Sequence, residues 1–478
     1  MATSLGLREP LPEPAPPPFG PRSFDELFDQ GLHAYPKRLA LIDGERTWTW
    51  AQLHSEVTAV ADSLRRAEAH LGPQGNSAET IIGILAILHN DGIWVGKAPD
   101  DWPLPPHHFW ADPDADSIDG GRGFPAAISF TSGSTGSPKA VVHSNHSLLL
   151  PGLVSVEVEP PQAAERIGTP LDLSIANVFV LGPLSALLRG ATFVVMKRRY
   201  AAGLAEDIEA GSITRLIAVP TMAYDLVHDE TIGSQQLGSL ERVIVGGSGC
   251  DPVILEMFTE RFGVRPTLSY GLSEAPTGVV RESLDDPIGS GRGFSLPHIE
   301  VAILDPASGD KVKPGIEGEI CIRPATTGPW ANCWTGTLGY LYEPERTDAL
   351  WRNGLLHTGD RGSLDADGAL CVTGRLNDMI IRGGKNLDPT AIANAARDLD
   401  SVHDAVAIGL ADDRLGQRVG LAVVAAPNTG DGLSELGTNK VMARLQDRGF
   451  RIDAIRIVDQ LPRNAMGKVD KLALAQLF

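Results

Sequence analysis

Residues 126–139 read Ala126-Ala127-Ile128-Ser129-Phe130-Thr131-Ser132-Gly133-Ser134-Thr135-Gly136-Ser137-Pro138-Lys139. The first five suit a buried strand. The rest gathers glycines and small hydroxyl residues in one loop, where consecutive N–H and O–H groups can turn toward an anion. Lys139 adds a point charge. The loop is not a Walker A motif, because the Gly-Lys-Ser/Thr ending is absent and Pro138 stands where the phosphate-binding helix should begin. A plain Ser/Gly-rich hairpin is the alternative, and the particular order of residues behind a strand argues against it.

Outward from this loop, short β-like runs (Arg215–Val219, Arg242–Val245, Val301–Leu304) alternate with helical stretches such as Thr221–His228 and Pro252–Phe262. That alternation predicts an α/β fold of layered subdomains. Residues 1–22 carry seven prolines from Pro10 to Pro21 and read as an extended arm. Ser23-Phe24-Asp25-Glu26 is a capping-box pattern that opens a helix. Toward the C-terminus, Asp365-Ala366-Asp367-Gly368 signals a hairpin turn. A polar joint from Arg375 to Asp378 then precedes strand-like Met379-Ile380-Ile381, a helix over Thr390–Leu399, strands over Ala405–Leu410 and Val419–Ala425, and a helix over Asn439–Arg448. The expected division is a large domain, 1–376, and a small α+β lid, 377–478.

A chain of 478 residues exceeds one ordinary core. Its 41 basic and 60 acidic residues leave a net charge of −19, which disfavours nucleic acid and acidic membranes as partners. A phosphate-bearing small ligand must therefore be met locally. Four cysteines without C-x-x-C spacing suggest reduced thiols. The N-terminus lacks the apolar core of a secretory signal, and Ile81–Leu88, the longest apolar run, is too short to span a bilayer. A cytoplasmic location is the expectation.

Further segments follow the loop in order: Tyr270-Gly271-Leu272-Ser273-Glu274, His357-Thr358-Gly359-Asp360, Gly374-Arg375-Leu376-Asn377-Asp378 and Pro462-Arg463-Asn464-Ala465-Met466-Gly467-Lys468. With the loop, they resemble the motifs of the adenylate-forming superfamily: acyl-CoA synthetases, carrier-protein adenylation domains and luciferases. The resemblance runs from about residue 23 to the end. It implies that Thr131, Ser132, Gly133, Ser134, Thr135, Gly136 and Lys139 cradle ATP phosphates. By the same resemblance Gly247, Ser269, Tyr270 and Gly271 hold the nucleotide, with the Tyr270 ring under the adenine. Asp360 takes the ribose hydroxyls and Arg375 supports the ribose and phosphates. Glu274 ligates Mg²⁺, a hard cation that prefers carboxylate and phosphate oxygens. Ser273 keeps the hydroxyl of the family's usual Thr, and Lys468 reaches the reacting phosphate from the small domain. Taken singly, each residue has a plainer reading as a core tyrosine, a turn aspartate or a solvated charge; the ordered frame overrides it.

The reaction implied is attack of a carboxylate on the α-phosphate of ATP, with release of pyrophosphate. Three acceptors then stay open: the thiol of CoA, which we favour, a carrier-protein phosphopantetheine, or a free amine. Arg382-Gly383-Gly384-Lys385-Asn386 resembles the loop lining the thiol tunnel of thioester-forming members, or is a hairpin turn. Asn377 stands where the family's hinge usually has Asp or Lys. For the acid, the resemblance offers Asp172, Ala176, Ile244, Gly246, Ser269, Thr277 and Gly278, small or apolar groups that suit a compact substrate. Asp172 either holds a substrate ammonium or stands where acyl-CoA ligases often carry His. The family usually has tens of residues more before the loop than Trp102–Gly123 supplies. A strand–helix unit is therefore expected to be missing, leaving a flank open to a partner or a homodimer contact.

Overall fold

The structure is a computed structural model, and it describes residues 5–8, 13–66, 68–99, 102, 123–131, 138–247, 249–382, 385–412, 414–426, 435–463 and 469–478. The chain forms two compact units. The larger takes in residues 1–302, 321–358 and 365–370; the smaller takes in 303–320, 359–364 and 371–478. The expected boundary at 376 falls inside the last segment of the smaller unit, a few residues beyond its start at Cys371.

In the larger unit, six parallel strands run in the spatial order Leu39–Asp43, Thr192–Val195, Arg166–Thr169, Arg215–Ala218, Arg242–Gly246 and Pro266–Leu272. Antiparallel strands flank them: Arg46–Thr49 at one side, Ala275–Glu282 and Arg292–Ser295 at the other. The apolar runs seen in the sequence form these strands because both faces are covered. A second sheet is ordered Gly339–Tyr340, Lys139–Ser144, Pro125–Thr131, Ile93–Val95 and Ala69–Leu71. The run Ile81–Leu88 belongs to the helix Ala78–His89, capped by Ser77 and buried along most of its length. No helix among the described residues is long and apolar enough to cross a membrane.

The proline-rich arm is more than a tether. Leu5 and Leu7 are buried, Leu7 bridges to Gly339, and the Arg8 guanidinium lies 3.7 Å from the centre of the Trp351 ring. The helix Phe24–Ala34 is capped by Ser23, whose Oγ accepts from Glu26 N at 3.1 Å. Glu26 answers one residue early, accepting from Arg22 N at 2.8 Å.

One helical stretch, residues 176–188, loosens midway into a π turn over Val180–Leu184. Pro183 lies inside it and lacks the N–H that a regular ladder requires, so the turn widens there.

The smaller unit has its own sheet, ordered Lys385–Leu387, Ile380–Arg382, Gly416–Ala425 and Val402–Asp412, with Ala454–Ile457 also pairing Gly416–Ala425. Helices Pro389–Arg397 and Glu435–Asp447 close a core around Ile392, Leu421 and Leu445. Arg382 grips Asp453 through two bonds of 2.7 and 2.6 Å.

Candidate functional site

Thr131 ends one strand and Lys139 opens the next, and the two are direct partners across an antiparallel pair. The loop of residues 132–137 joins them and lies outside the described residues. Behind it, Ser129 Oγ lies 2.9 Å from Nε2 of fully buried His143. Burial pushes the His143 imidazole down to about 4, so it stays neutral at pH 7.

Lys139 has a neighbour that the sequence reading missed. Tyr340 pairs with Val141 across the second sheet, and Lys139 Nζ stands 5.1 Å from the centre of its ring. The Tyr340 hydroxyl donates to Glu274 Oε1 at 2.6 Å. Burial, reinforced by the Glu274 carboxylate, pushes that hydroxyl far above its ordinary value and keeps it a proton donor. Glu274 itself sits with Ser273 in the two-residue turn between Leu272 and Ala275, which face each other across the hairpin. Its main-chain oxygen accepts from Thr337 N at 2.7 Å. One carboxylate oxygen is thus steered by Tyr340, and no described residue bonds the other. A hard cation suits that donor.

The nucleotide candidates lie where parallel α/β sheets usually bind ligands, at the carboxyl ends of the strands. Gly246 and Ser269 are partners across Arg242–Gly246 and Pro266–Leu272, and Tyr270 and Gly271 follow in the second strand. Gly247 has a φ of 90°, a conformation open to glycine and strained for other residues.

Beside these ends is a cavity of about 30 Å³. Ile244, Ser269 and Gly278 line it, as do Gly152, Ser155, Val158, Val180, Leu181, Ser185, Arg281 and Leu296. Gly278 has a φ of 83°, and a Cβ there would stand 3.1 Å from Leu296 Cδ1. The side chain of Thr277 lies outside the described residues. Asp172 and Ala176 are not among the residues around this cavity. Asp172 accepts from Ser174 N and Oγ at 3.1 and 2.6 Å, and Lys97 Nζ is 3.8 Å from its other oxygen. It has a cation and a local turn of its own. Ala176, 2% exposed, begins the adjoining helical stretch.

Asp360 and Arg375 belong to the smaller unit. Arg375 Nε donates to Asp360 Oδ1 at 3.0 Å, with the arginine side chain 56% exposed and Asp360 buried. Gly383 and Gly384 of the glycine-bearing loop, and residues 464–468 with Lys468, lie outside the described residues.

Residues 98–329 match the family model described as AMP-binding enzyme. The chain is 31% identical over 360 residues to a feruloyl-CoA synthase of Amycolatopsis, which covers 73% of this chain and 69% of that protein. It is 30% identical over 364 residues to a medium/long-chain-fatty-acid–CoA ligase of Mycobacterium tuberculosis, covering 73% of this chain and 61% of the relative's length. The fold is shared with ATP-bound MatB from Rhodopseudomonas palustris, at a TM-score of 0.81, 21% identity, and coverage of 94% of this chain and 98% of that one.

Proposed function

This chain belongs to the family of AMP-binding enzymes, and from that premise we propose that it activates a small carboxylic acid with ATP and passes the acyl group to the thiol of CoA. The supporting observation is the convergence of Lys139, Tyr340 and Glu274. Lys139 over the Tyr340 ring offers a cation for a phosphate chain, and Glu274, held by the Tyr340 hydroxyl, offers a carboxylate for its metal.

A carboxylate oxygen of the acid attacks the α-phosphorus, and the bond to pyrophosphate breaks. The acid is already the nucleophile, so no Ser-His-Asp device is needed. Catalysis then rests on positioning and on charge neutralisation. Lys139 would hold the phosphates, and Glu274 would hold the metal. Mg²⁺, when bound, supplies neutralisation of the phosphate charge. Lys468, Asp360 and Arg375 keep the roles that the family resemblance implies. In the second step the CoA sulfur attacks the acyl carbonyl and AMP leaves. CoA as acceptor draws its support from the names of the curated relatives.

Purified protein given ATP, Mg²⁺ and a panel of aromatic and short aliphatic acids should form acyl-adenylate, and CoA should convert it to a thioester detectable by mass. Transfer only to a phosphopantetheinyl carrier or an amine overturns the acceptor, and absence of any adenylate overturns the whole reading. Lys468→Ala should slow adenylation by about 10²–10³, the scale for losing a preorganised stabilising group; a rate within a few-fold of wild type contradicts its role.

A further inference from the structure

Around the acyl cavity the protein carries more positive charge than its own carboxylates balance. Arg189 clasps Glu165 through bonds of 2.8 and 2.9 Å. Arg215 bridges Glu165 at 2.8 Å and Glu159 at 3.0 Å. Arg242 bonds Glu159, and Arg281 Nη1 stands 3.3 Å from the same carboxylate. Four guanidinium groups thus share two carboxylates, and the Arg189 and Arg215 side chains are only 1% and 7% exposed, so water screens little of the excess.

Arg281 is the least satisfied member. Its Nε is buried and makes no hydrogen bond among the described residues. Burial, and then the neighbouring arginines, lower the guanidinium to about 10, still charged at pH 7. The residue lies directly across the strand pair from Ser269, next to Tyr270, and lines the cavity with Ser155 and Ser185. Those two hydroxyls are 3.5 Å apart. Val180, Leu181, Ile244 and Leu296 add apolar lining.

We propose that Arg281 is a specificity-determining residue, and that the favoured substrate is a short carboxylic acid bearing a second anionic group, in the simplest case a dicarboxylate. This rests on the acid-activating reading above. One carboxylate meets ATP, and the other enters the cavity to give Arg281 a charge-assisted partner. A neutral tail leaves Nε unpaired and the surplus charge uncompensated. The cavity volume is only about 30 Å³, so the group it takes is small.

The test is ATP–pyrophosphate exchange with matched probes: butyrate, succinate and monomethyl succinate, then pentanoate and glutarate. Wild type should favour each diacid over its monoacid and the ester by about 10²-fold in kcat/KM, the scale of a buried charge pair. In Arg281→Met that ratio should collapse, and Arg281→Lys should keep part of it. Glu159 retains Arg215 and Arg242, so Arg281→Met strands no carboxylate and its Tm should equal or exceed that of wild type. A wild-type ratio near one, or the same ratio in Arg281→Met, overturns the proposal and leaves acid activation standing. Equilibrium dialysis of radiolabelled succinate and glutarate separates the two ideas. Binding lost in Arg281→Met, with no exchange for any acid, supports the charge recognition and contradicts the activation. Neither binding nor exchange overturns both.

Discussion

At the phosphate end of the larger unit, Lys139, Tyr340 and Glu274 meet through contacts that no acid substrate has to complete. At the proposed acyl end, Arg281 lines a small cavity with an Nε that makes no hydrogen bond among the described residues, and two surplus charges stand behind it. The first arrangement leaves only a Glu274 carboxylate oxygen for a metal and suits chemistry common to every substrate. The second is left incomplete, so a substrate that completes it gains what others cannot. Positioning is internal where the reaction is invariant, and deferred to the ligand where selection occurs.

Substitutions at the phosphate end should therefore slow all acids alike. Glu274→Ala removes the carboxylate offered to the metal, and exchange should fall by about 10²–10³ for every acid in a panel. A loss confined to some acids would break the comparison.

Next in size is an effect of pH on stability. His143, beside the phosphate loop, is held at about 4 by burial, and His298 at about 3. Both values lie below the ordinary value of about 6.5 for the unfolded chain. The neutral histidines therefore contribute stability that is fully present above about pH 6.5 and is lost as pH falls toward 4 and 3. Between pH 7 and pH 5, His143 alone should cost about 2 kcal/mol. Thermal melts across that range should show the drop, and His143→Gln should lessen it; a flat profile contradicts a neutral buried imidazole.

Smaller again is Tyr340→Phe. It removes one hydrogen bond to a charged carboxylate and should lower exchange about 10-fold for all acids. The apparent Mg²⁺ requirement should rise, a readout that loss of packing alone would not move.

The glycine-rich loop and the Ser273–Glu274 segment were legible as motifs because the residues of each are adjacent in the chain. A strand does precede the loop, and Ser273 and Glu274 fall in a hairpin turn that the motif alone does not announce. Tyr340 was not legible, since its partners Lys139 and Glu274 are distant in sequence and meet only through strand pairing. The arginine network was missed for the same reason. Yet a signal existed: Arg215 and Arg242 each open an apolar strand, and they pair in register. A charge at the head of a buried strand needs a partner. Asp172 shows the converse hazard. Its neighbours Ser174 and Lys97 give it local work that a motif comparison does not reveal.

The central claim, that this chain joins an acid to the adenylyl group of ATP, is tested most directly by acid-dependent exchange of labelled pyrophosphate into ATP. The account predicts label in ATP only when protein, Mg²⁺ and a suitable acid are present together, with Glu274→Ala lowering it sharply. Exchange that stays at background for a broad panel of mono- and dicarboxylic acids would contradict it.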